Sequence, residues 1–380
     1  MKKKILIVCG TRPEAIKLAP VIKSLKKHSN KFLVKICVTA QHRKMLDQVL
    51  KLFSISVDID LNLMKKKQDL VKFTSRSLLA ISKIIKNFKP DITLVQGDTT
   101  TAFTTSLACF YLGFKVGHIE AGLRSNNLLA PFPEELNRQI ITKVSKFHFA
   151  PTSSNKKNLI NENIPKKNII LTGNTVVDSL NYINFKIKND KFTYNKIISY
   201  LDKLLPFVYL KEKFILITGH RRENFGEGFF NICKSIKNLS QKYPLVHFVY
   251  PAHLNPNVQR PVYKILKNIK NVHLIKPVDY EVFVFLMKYS YFILSDSGGV
   301  QEEAPSLHKP LLVMRDVTER NETLKLGSLK LVGTNSKKIV SNVSKLLNNV
   351  NFYNNMILKK NPYGDGFASE RISKFLLKYL

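Results

Sequence analysis

No stretch of this chain approaches the ~18 consecutive apolar residues that suggest a membrane span, so no part of it is read as crossing or entering a membrane. The opening run from Met1 to Cys9 sets three lysines before apolar residues. That run is short and leads into a glycine turn, not a small-residue cleavage site, so it reads as the first strand of a cytoplasmic protein. Cysteine is scarce. Cys9, Cys37, Cys109 and Cys233 stand in apolar settings and none forms a C-x-x-C pair, which argues for reduced, buried thiols and against a zinc site. A dinucleotide fingerprint is missing too: the first strand, Lys4 to Cys9, runs into Gly10-Thr11-Arg12-Pro13 and not G-x-G-x-x-G. No cofactor is therefore expected. Acidic side chains are few, 27 against 61 lysines and arginines, for a net charge of +34. Such a surplus ordinarily raises nucleic-acid binding. Here the lysines are scattered and no stacking-aromatic module accompanies them, so the surplus reads as a solvated lysine surface, with no nucleic-acid partner. Arginine is scarce at 11, yet Arg12, Arg43, Arg124, Arg138, Arg221, Arg222, Arg315, Arg320 and Arg371 all fall in or beside motifs. Lysine cannot reproduce the planar fork with which arginine grips phosphates and carboxylates in pairs.

What is present is an alternation of apolar strands and helices. A length of 380 residues suits two domains. In the first half, Thr11 and Pro13 open a helix that carries Arg12 and Lys17, which either face a phosphate or sugar or are exposed charges at an ordinary cap. Val34 to Thr39 is a second strand, followed by Gln41-His42-Arg43-Lys44 entering a helix. Residues 69–88 are helical, and Asp91 to Val95 is a strand that ends in Gln96-Gly97-Asp98-Thr99-Thr100. After helix 101–112, strand Lys115 to Ile119 ends in Glu120-Ala121-Gly122-Leu123-Arg124, and Pro131 to Arg138 opens a further helix. Such alternation predicts a parallel sheet whose ligands bind beyond the carboxyl ends of the strands. Asp98 and Glu120 fall at such ends, and Glu134 and Arg138 share one helix face at i, i+4. Singly, each carboxylate suits a cap or a surface ion pair. Jointly, Asp98, Glu120 and Glu134 point to acid/base catalysis at one sheet edge.

The polar, motif-free stretch 181–213 reads as a connector. Strand Phe214 to Thr218 then ends in Gly219-His220-Arg221-Arg222, a setting suited to a diphosphate, although a lone histidine is more often structural. Strands Val246 to Tyr250, Val272 to Ile275, Phe292 to Leu294 and Leu311 to Met314 continue the pattern, so a second doubly wound α/β domain is expected. Between the last two lies Ser295-Asp296-Ser297-Gly298-Gly299-Val300-Gln301-Glu302-Glu303-Ala304-Pro305. A strand, a Ser/Gly turn and a helix start make an anion site, with Glu303 one turn further in, within reach of a ribose hydroxyl; the alternative is a plain turn. Residues 368–380 form an amphipathic helix with Ile372, Phe375, Leu376 and Leu380 on its apolar side.

Taken in order, Gly10 to Lys17, Gly97 to Thr100, His118 to Arg124, Pro133-Glu134-Glu135, Gly219 to Glu223 and Ser295 to Pro305 give a chain that closely resembles the non-hydrolysing UDP-N-acetylglucosamine 2-epimerases over essentially its full length. The resemblance implies two Rossmann-like doubly wound domains facing a cleft in a GT-B-like pair. Residues 1–180 would form the acid/base domain, with helix 366–380 packing back on it, and 181–365 the UDP-binding domain. It implies a homodimer that interconverts UDP-GlcNAc and UDP-ManNAc for cell-envelope polysaccharide. Asp98, Glu120 and Glu134 become the acid/base group, with His220 at the diphosphate. Arg12, Ser297, Gly298, Gly299, Glu303 and Arg320 would hold UDP, Phe283 would lie near uracil, and Lys17 and Arg138 would line the sugar side. A regulatory second UDP-GlcNAc site would use Gln41, Lys44, Lys67, Arg221 and His253.

The chemistry explains why several carboxylates are needed. With no carbonyl at C1, the C2 hydrogen of the sugar is not acidic. Breaking the C1–O bond to UDP develops positive charge at C1 and makes that proton removable. This route needs a grip on the departing diphosphate and acid/base groups on both faces of C2. Rival readings are a GT-B glycosyltransferase, which would need an acceptor, a hydrolysing epimerase, which would release free ManNAc, and a basic nucleic-acid-binding protein.

Overall fold

The computed structural model describes residues 1–40, 43–63 and 69–380. The chain divides into two compact units, residues 1–179 with 363–380, and residues 180–362. The first unit runs β1 (Lys3–Cys9), α1 (Arg12–Lys26), β2 (Phe32–Val38), α2 (Arg43–Leu52), β3 (Ile59–Asp60), α3 (Leu70–Phe88), β4 (Ile92–Gln96), α4 (Thr100–Tyr111), β5 (Val116–Ile119), α5 (Glu134–Val144), β6 (Phe147–Ala150), α6 (Ser153–Asn161) and β7 (Ile169–Leu171). Its seven strands lie in the order β3-β2-β1-β4-β5-β6-β7, and every pairing is parallel. Helices cover both faces of such a sheet, so its central strands carry apolar residues on both sides. Ile5 to Cys9 are all buried, as are Ile92 to Gln96.

Helix α7 (Thr175–Asn189) carries the chain into the second unit. There follow α8 (Lys191–Asp202), β8 (Phe214–Thr218), α9 (Glu227–Lys242), β9 (His247–Pro251), α10 (Pro256–Leu266), β10 (Val272–Ile275), α11 (Tyr280–Tyr289), β11 (Phe292–Ser295), α12 (Gly298–Glu303), β12 (Leu311–Val313), α13 (Asn321–Lys325), β13 (Leu329–Leu331), α14 (Ser336–Asn348) and α15 (Val350–Asn355). Six strands pair in parallel in the order β10-β9-β8-β11-β12-β13. Phe229, Phe248, Tyr250 and Phe292 fill the core between this sheet and its helices.

Two local expectations are refined. The stretch 181–213 is largely helical: it holds most of α7 and all of α8, whose Ile197 and Leu201 are buried one turn apart. The dense Lys/Asn composition hides that spacing. The helix expected from Pro131 begins at Glu134, after cis peptide bonds at Ala130–Pro131 and Phe132–Pro133.

The last helix, α16 (Ala368–Tyr379), belongs to the first unit. Phe375 meets Phe147 and Phe149 edge-on, and the Ser24 and Ser373 hydroxyls bond at 2.8 Å. Its amino end is held by Asp178, whose carboxylate accepts from the backbone of Ala368 and Ser369 and from the Ser369 hydroxyl. Those N–H groups have no partner within the helix. Asp178→Ala is expected to lower stability by about 1–3 kcal/mol, the usual cost of leaving buried donors unsatisfied. Urea unfolding measures it, and an unchanged midpoint would show that α16 needs no such anchor.

Candidate active site

In each sheet the strand order reverses once. In the first unit this happens between β1 and β4, in the second between β8 and β11. Chains leave these adjacent strands in opposite directions, opening a crevice at their carboxyl ends where ligands of open α/β sheets bind. The motifs Gly10-Thr11-Arg12 and Gly97-Asp98-Thr99 flank the first crevice, and Gly219-His220-Arg221 and Asp296-Ser297-Gly298 flank the second.

Around the first crevice two carboxylates, Asp98 and Glu120, are held by buried cations. Asp98 follows β4 and accepts from Arg138 Nη2 at 2.6 Å. Its backbone carbonyl accepts from Asn137 Nδ2 at 2.9 Å. Glu134, Asn137 and Arg138 lie at i, i+3 and i+4 of α5, so Glu134 shares the helix face that is tied to Asp98. Glu120 follows β5, the neighbour of β4, and pairs with the Lys17 ammonium; both side chains are buried. Asn174 Nδ2 donates to the same Glu120 oxygen at 3.2 Å. Lys17 is therefore no exposed charge on α1. Glu120 has φ of 68°, a left-handed conformation that a β-carbon disfavours. Such strain costs about 1–3 kcal/mol and persists only where surrounding contacts impose it, most often at functional sites.

Several supporting groups carry no role in the sequence reading. Glu135, fully buried, accepts from the Ser125 and Asn126 N–H groups and pairs with Arg138 at 3.2 Å, steadying the arginine that holds Asp98. Arg124 is not a ligand-facing arginine: it is buried against Glu162, the Thr142 hydroxyl and the Leu123 carbonyl. His118 Nε2 donates to the Gly97 carbonyl at 2.8 Å, fixing the turn from which Asp98 projects. Glu14 is 1 % exposed and takes hydrogen bonds from both flanking turns. Burial lifts its carboxyl to about 7, against the pull of its donors Thr99, Thr11 and Gly10. The capping-box spacing Thr11-x-x-Glu14 was the available signal for it. Gly10 is required by closeness, since a β-carbon there would stand 2.3 Å from Thr101 Oγ1 and 2.4 Å from Thr39 Oγ1.

In the second unit, Asp296 is fully buried at the end of β11. It accepts from the N–H groups of His220 and Arg221, at 3.0 and 2.9 Å, and from Asn224 Nδ2 at 3.2 Å. Its Oδ1 lies 3.6 Å from His220 Nδ1. The His220 imidazole itself is exposed and stacks on His253 with ring centroids 5.4 Å apart. Ser297 occupies the cap position of α12 without its hydroxyl closing the first turn. Gly298 faces the Arg320 guanidinium, 2.8 Å from where a β-carbon would sit. Arg320 is engaged by Glu302 at 2.8 Å and by Glu319. Burial would raise the Glu319 acid, but Arg320 and Arg315 outweigh it and hold that carboxyl well below the usual range. Glu303 accepts from the Tyr280 hydroxyl at 2.5 Å, and Phe283 lies three residues on from Tyr280 along α11. Arg12, at the first position of α1, is partly buried. Gln41 and Lys67 lie outside the described residues, as does the side chain of Lys44.

Two doubly wound parallel sheets, each with charged turns at its switch point, define a GT-B-like protein of paired Rossmann-type units. The family model described as UDP-N-acetylglucosamine 2-epimerase matches residues 23–377. The UDP-N-acetylglucosamine 2-epimerase of Campylobacter jejuni is 51 % identical over 100 % of this chain and 98 % of its own length. Among solved structures, the Neisseria meningitidis UDP-GlcNAc 2-epimerase bound to UDP-GlcNAc superposes with a TM-score of 0.94 at 51 % identity, covering 99 % of this chain and 100 % of that one. The S. aureus MnaA–UDP co-structure follows with a TM-score of 0.91 and 44 % identity, covering 99 % and 96 %. The chain belongs to the UDP-N-acetylglucosamine 2-epimerase family.

The buried histidines set a pH dependence for the first unit. Burial pushes His118 down to about 3, with His148, Arg124 and Arg138 repelling its proton against the Gly97 bond; burial likewise pushes His148 down to about 4. An unfolded histidine titrates near 6.5. Below that pH the unfolded chain takes up protons that the folded chain refuses. Stability is therefore full above about 6.5 and declines as pH falls toward 4 and then 3. Each histidine contributes a slope of up to about 1.4 kcal/mol per pH unit. Urea midpoints from pH 8 to pH 4 should show this decline, and His118→Gln should reduce it.

Proposed function

We propose that this chain is an isomerase that interconverts UDP-N-acetylglucosamine and UDP-N-acetylmannosamine at C2, by elimination and readdition of UDP. The observation that carries this reading is the pair of carboxylates, Asp98 and Glu120, at the ends of adjacent strands, each held by a buried cation. In the forward step the C1–O bond breaks and its electrons leave with UDP. A carboxylate takes the C2 proton, and a double bond forms between C1 and C2. In the second step UDP oxygen returns to C1 while an acid delivers a proton to the opposite face of C2. Asp98, Glu120 and Glu134 share this work, since one group cannot serve both faces; Lys17 and Arg138 line the sugar side while balancing charge.

His220, Arg12 and the Ser297-Gly298-Gly299 turn take the diphosphate, where charge grows as C1–O breaks. Glu303 takes the ribose, Phe283 lies by the uracil, and Arg320 supports the same turn. The Asp296 cradle supports this assignment, because it fixes the backbone of His220 while leaving the imidazole exposed. The four free, buried cysteines suit a reducing cytoplasm. We further assign the working form as a homodimer that feeds cell-envelope polysaccharide. UDP-GlcNAc acts also as an activator at a second site built from Gln41, Lys44, Lys67, Arg221 and His253. The contact of His253 with His220 supports coupling between the two sites.

Incubation with UDP-GlcNAc alone in heavy water tests the reaction. UDP-ManNAc carrying deuterium at C2 is expected with no acceptor present. Free ManNAc, or a need for an acceptor, would replace this reading with hydrolysis or transfer. Asp98→Asn, Glu120→Gln and Glu134→Gln should each cut turnover by about 10²–10⁴ while UDP still binds by calorimetry. Near-normal turnover in all three would remove the carboxylates from the mechanism.

A further inference from the structure

Glu14 lies outside the set of residues given a role in the reaction, yet it joins the two turns that carry members of that set. Its Oε2 accepts from the Gly10 N–H at 3.0 Å, the Thr11 N–H at 2.8 Å and the Thr11 hydroxyl at 2.7 Å. Its Oε1 accepts from the Thr99 hydroxyl at 2.7 Å. One oxygen thus holds the turn after β1 and the other the turn after β4, across 85 residues of sequence. Arg12 adjoins Thr11, and Asp98 adjoins Thr99. β1 and β4 pair from Ile5↔Ile92 to Ile7↔Leu94, and beyond that point the two chains part into α1 and α4. An ordinary capping box would satisfy α1 alone. Here the second oxygen is spent on a different helix, since Thr99 is the cap of α4 and itself accepts from Ala102 N–H at 3.1 Å.

We propose that Glu14 is a positioning residue that sets the spacing of Arg12 and Asp98 by tying the two turns of this switch point through its two carboxylate oxygens. The proposal rests on the epimerase reading for what Arg12 and Asp98 do, but not for the tie itself. Glu14 touches no reacting atom. Its effect is on geometry: the group that grips the leaving diphosphate and the group that works at the neighbouring carbon must keep a fixed separation. Displacement of a catalytic group by about 1 Å can cost about 10²-fold in rate.

The test uses the full-length protein with UDP-GlcNAc as substrate, reading kcat and KM separately and UDP affinity by calorimetry. Glu14→Ala is expected to lower kcat by about 10²-fold, with UDP affinity kept within about threefold. Glu14→Gln should recover most of the loss, because its amide oxygen can accept from Gly10 and Thr11 while its nitrogen donates to Thr99. Thr99→Ala severs the tie from the other side and keeps Glu14. It should lower kcat as well, and the double variant Glu14→Ala/Thr99→Ala should fall little below the worse single variant. Full additivity, or a loss confined to unfolding midpoint with normal kcat in the folded protein, overturns the proposal. Amide hydrogen exchange separates this result from failure of the epimerase reading. Faster exchange at Gly10 and Thr11 in Glu14→Ala is expected whatever the substrate, and unchanged exchange there also overturns the proposal.

Discussion

Everything at the two crevices depends on a problem that parallel sheets create for themselves. At a switch point two neighbouring strands end side by side, and their chains turn away from each other. The backbone donors just past the strands lose the ladder that paired them and need other acceptors. In this chain a buried carboxylate answers the problem in each unit. Glu14 does so beside β1 and β4, and Asp296 beside β8 and β11. Each accepts from two consecutive N–H groups at the start of a turn. Each turn also carries a side chain to which the proposed reaction gives a role, Arg12 in one and His220 in the other. The same bonds that satisfy the backbone also fix the turns from which these two side chains project.

Charge is arranged on the same logic. The chain carries a large surplus of lysine, but several cations around the two crevices are buried and paired, among them Lys17 with Glu120, Arg138 with Asp98 and Glu135, and Arg320 with Glu302 and Glu319. A buried charge without a partner is costly, so each such pair fixes the geometry of both members. The left-handed backbone at Glu120 fits this picture, because the Lys17 and Asn174 contacts hold the carboxylate where the strand alone would not place it.

Much of this was legible from the residues. Strands buried on both faces are short unbroken apolar runs, and the glycine after each marks where the chain turns. Lys4 to Cys9, Asp91 to Val95 and Phe214 to Thr218 could be read that way, and with them the positions of Asp98 and His220. The two-residue β3 carries no periodic signal, and α8 is masked by lysine and asparagine. The choice of partners was not legible either. Lys17 and Glu120 are 103 residues apart, and only the order of strands in the sheet brings them together. Asp296 and Glu135 sat inside recognised motifs, but their work is to hold backbone and a neighbouring arginine, and nothing in residue type distinguishes that from a direct contact with ligand. The family resemblance supplied the epimerase reading; the geometry supplied the reasons for which side chains stand beside one another.

The return of residues 363–380 to the first unit bears on how the molecule is made. Asn174 N–H bonds to the Tyr363 carbonyl at 2.6 Å, and Asp178 caps α16. A ribosome delivers the first 179 residues early, but their final helix only after the whole second unit has been translated. The portion of the enzyme that emerges first is therefore the last to be finished, and Phe147 and Phe149 wait through that interval for the aromatic side chain that covers them.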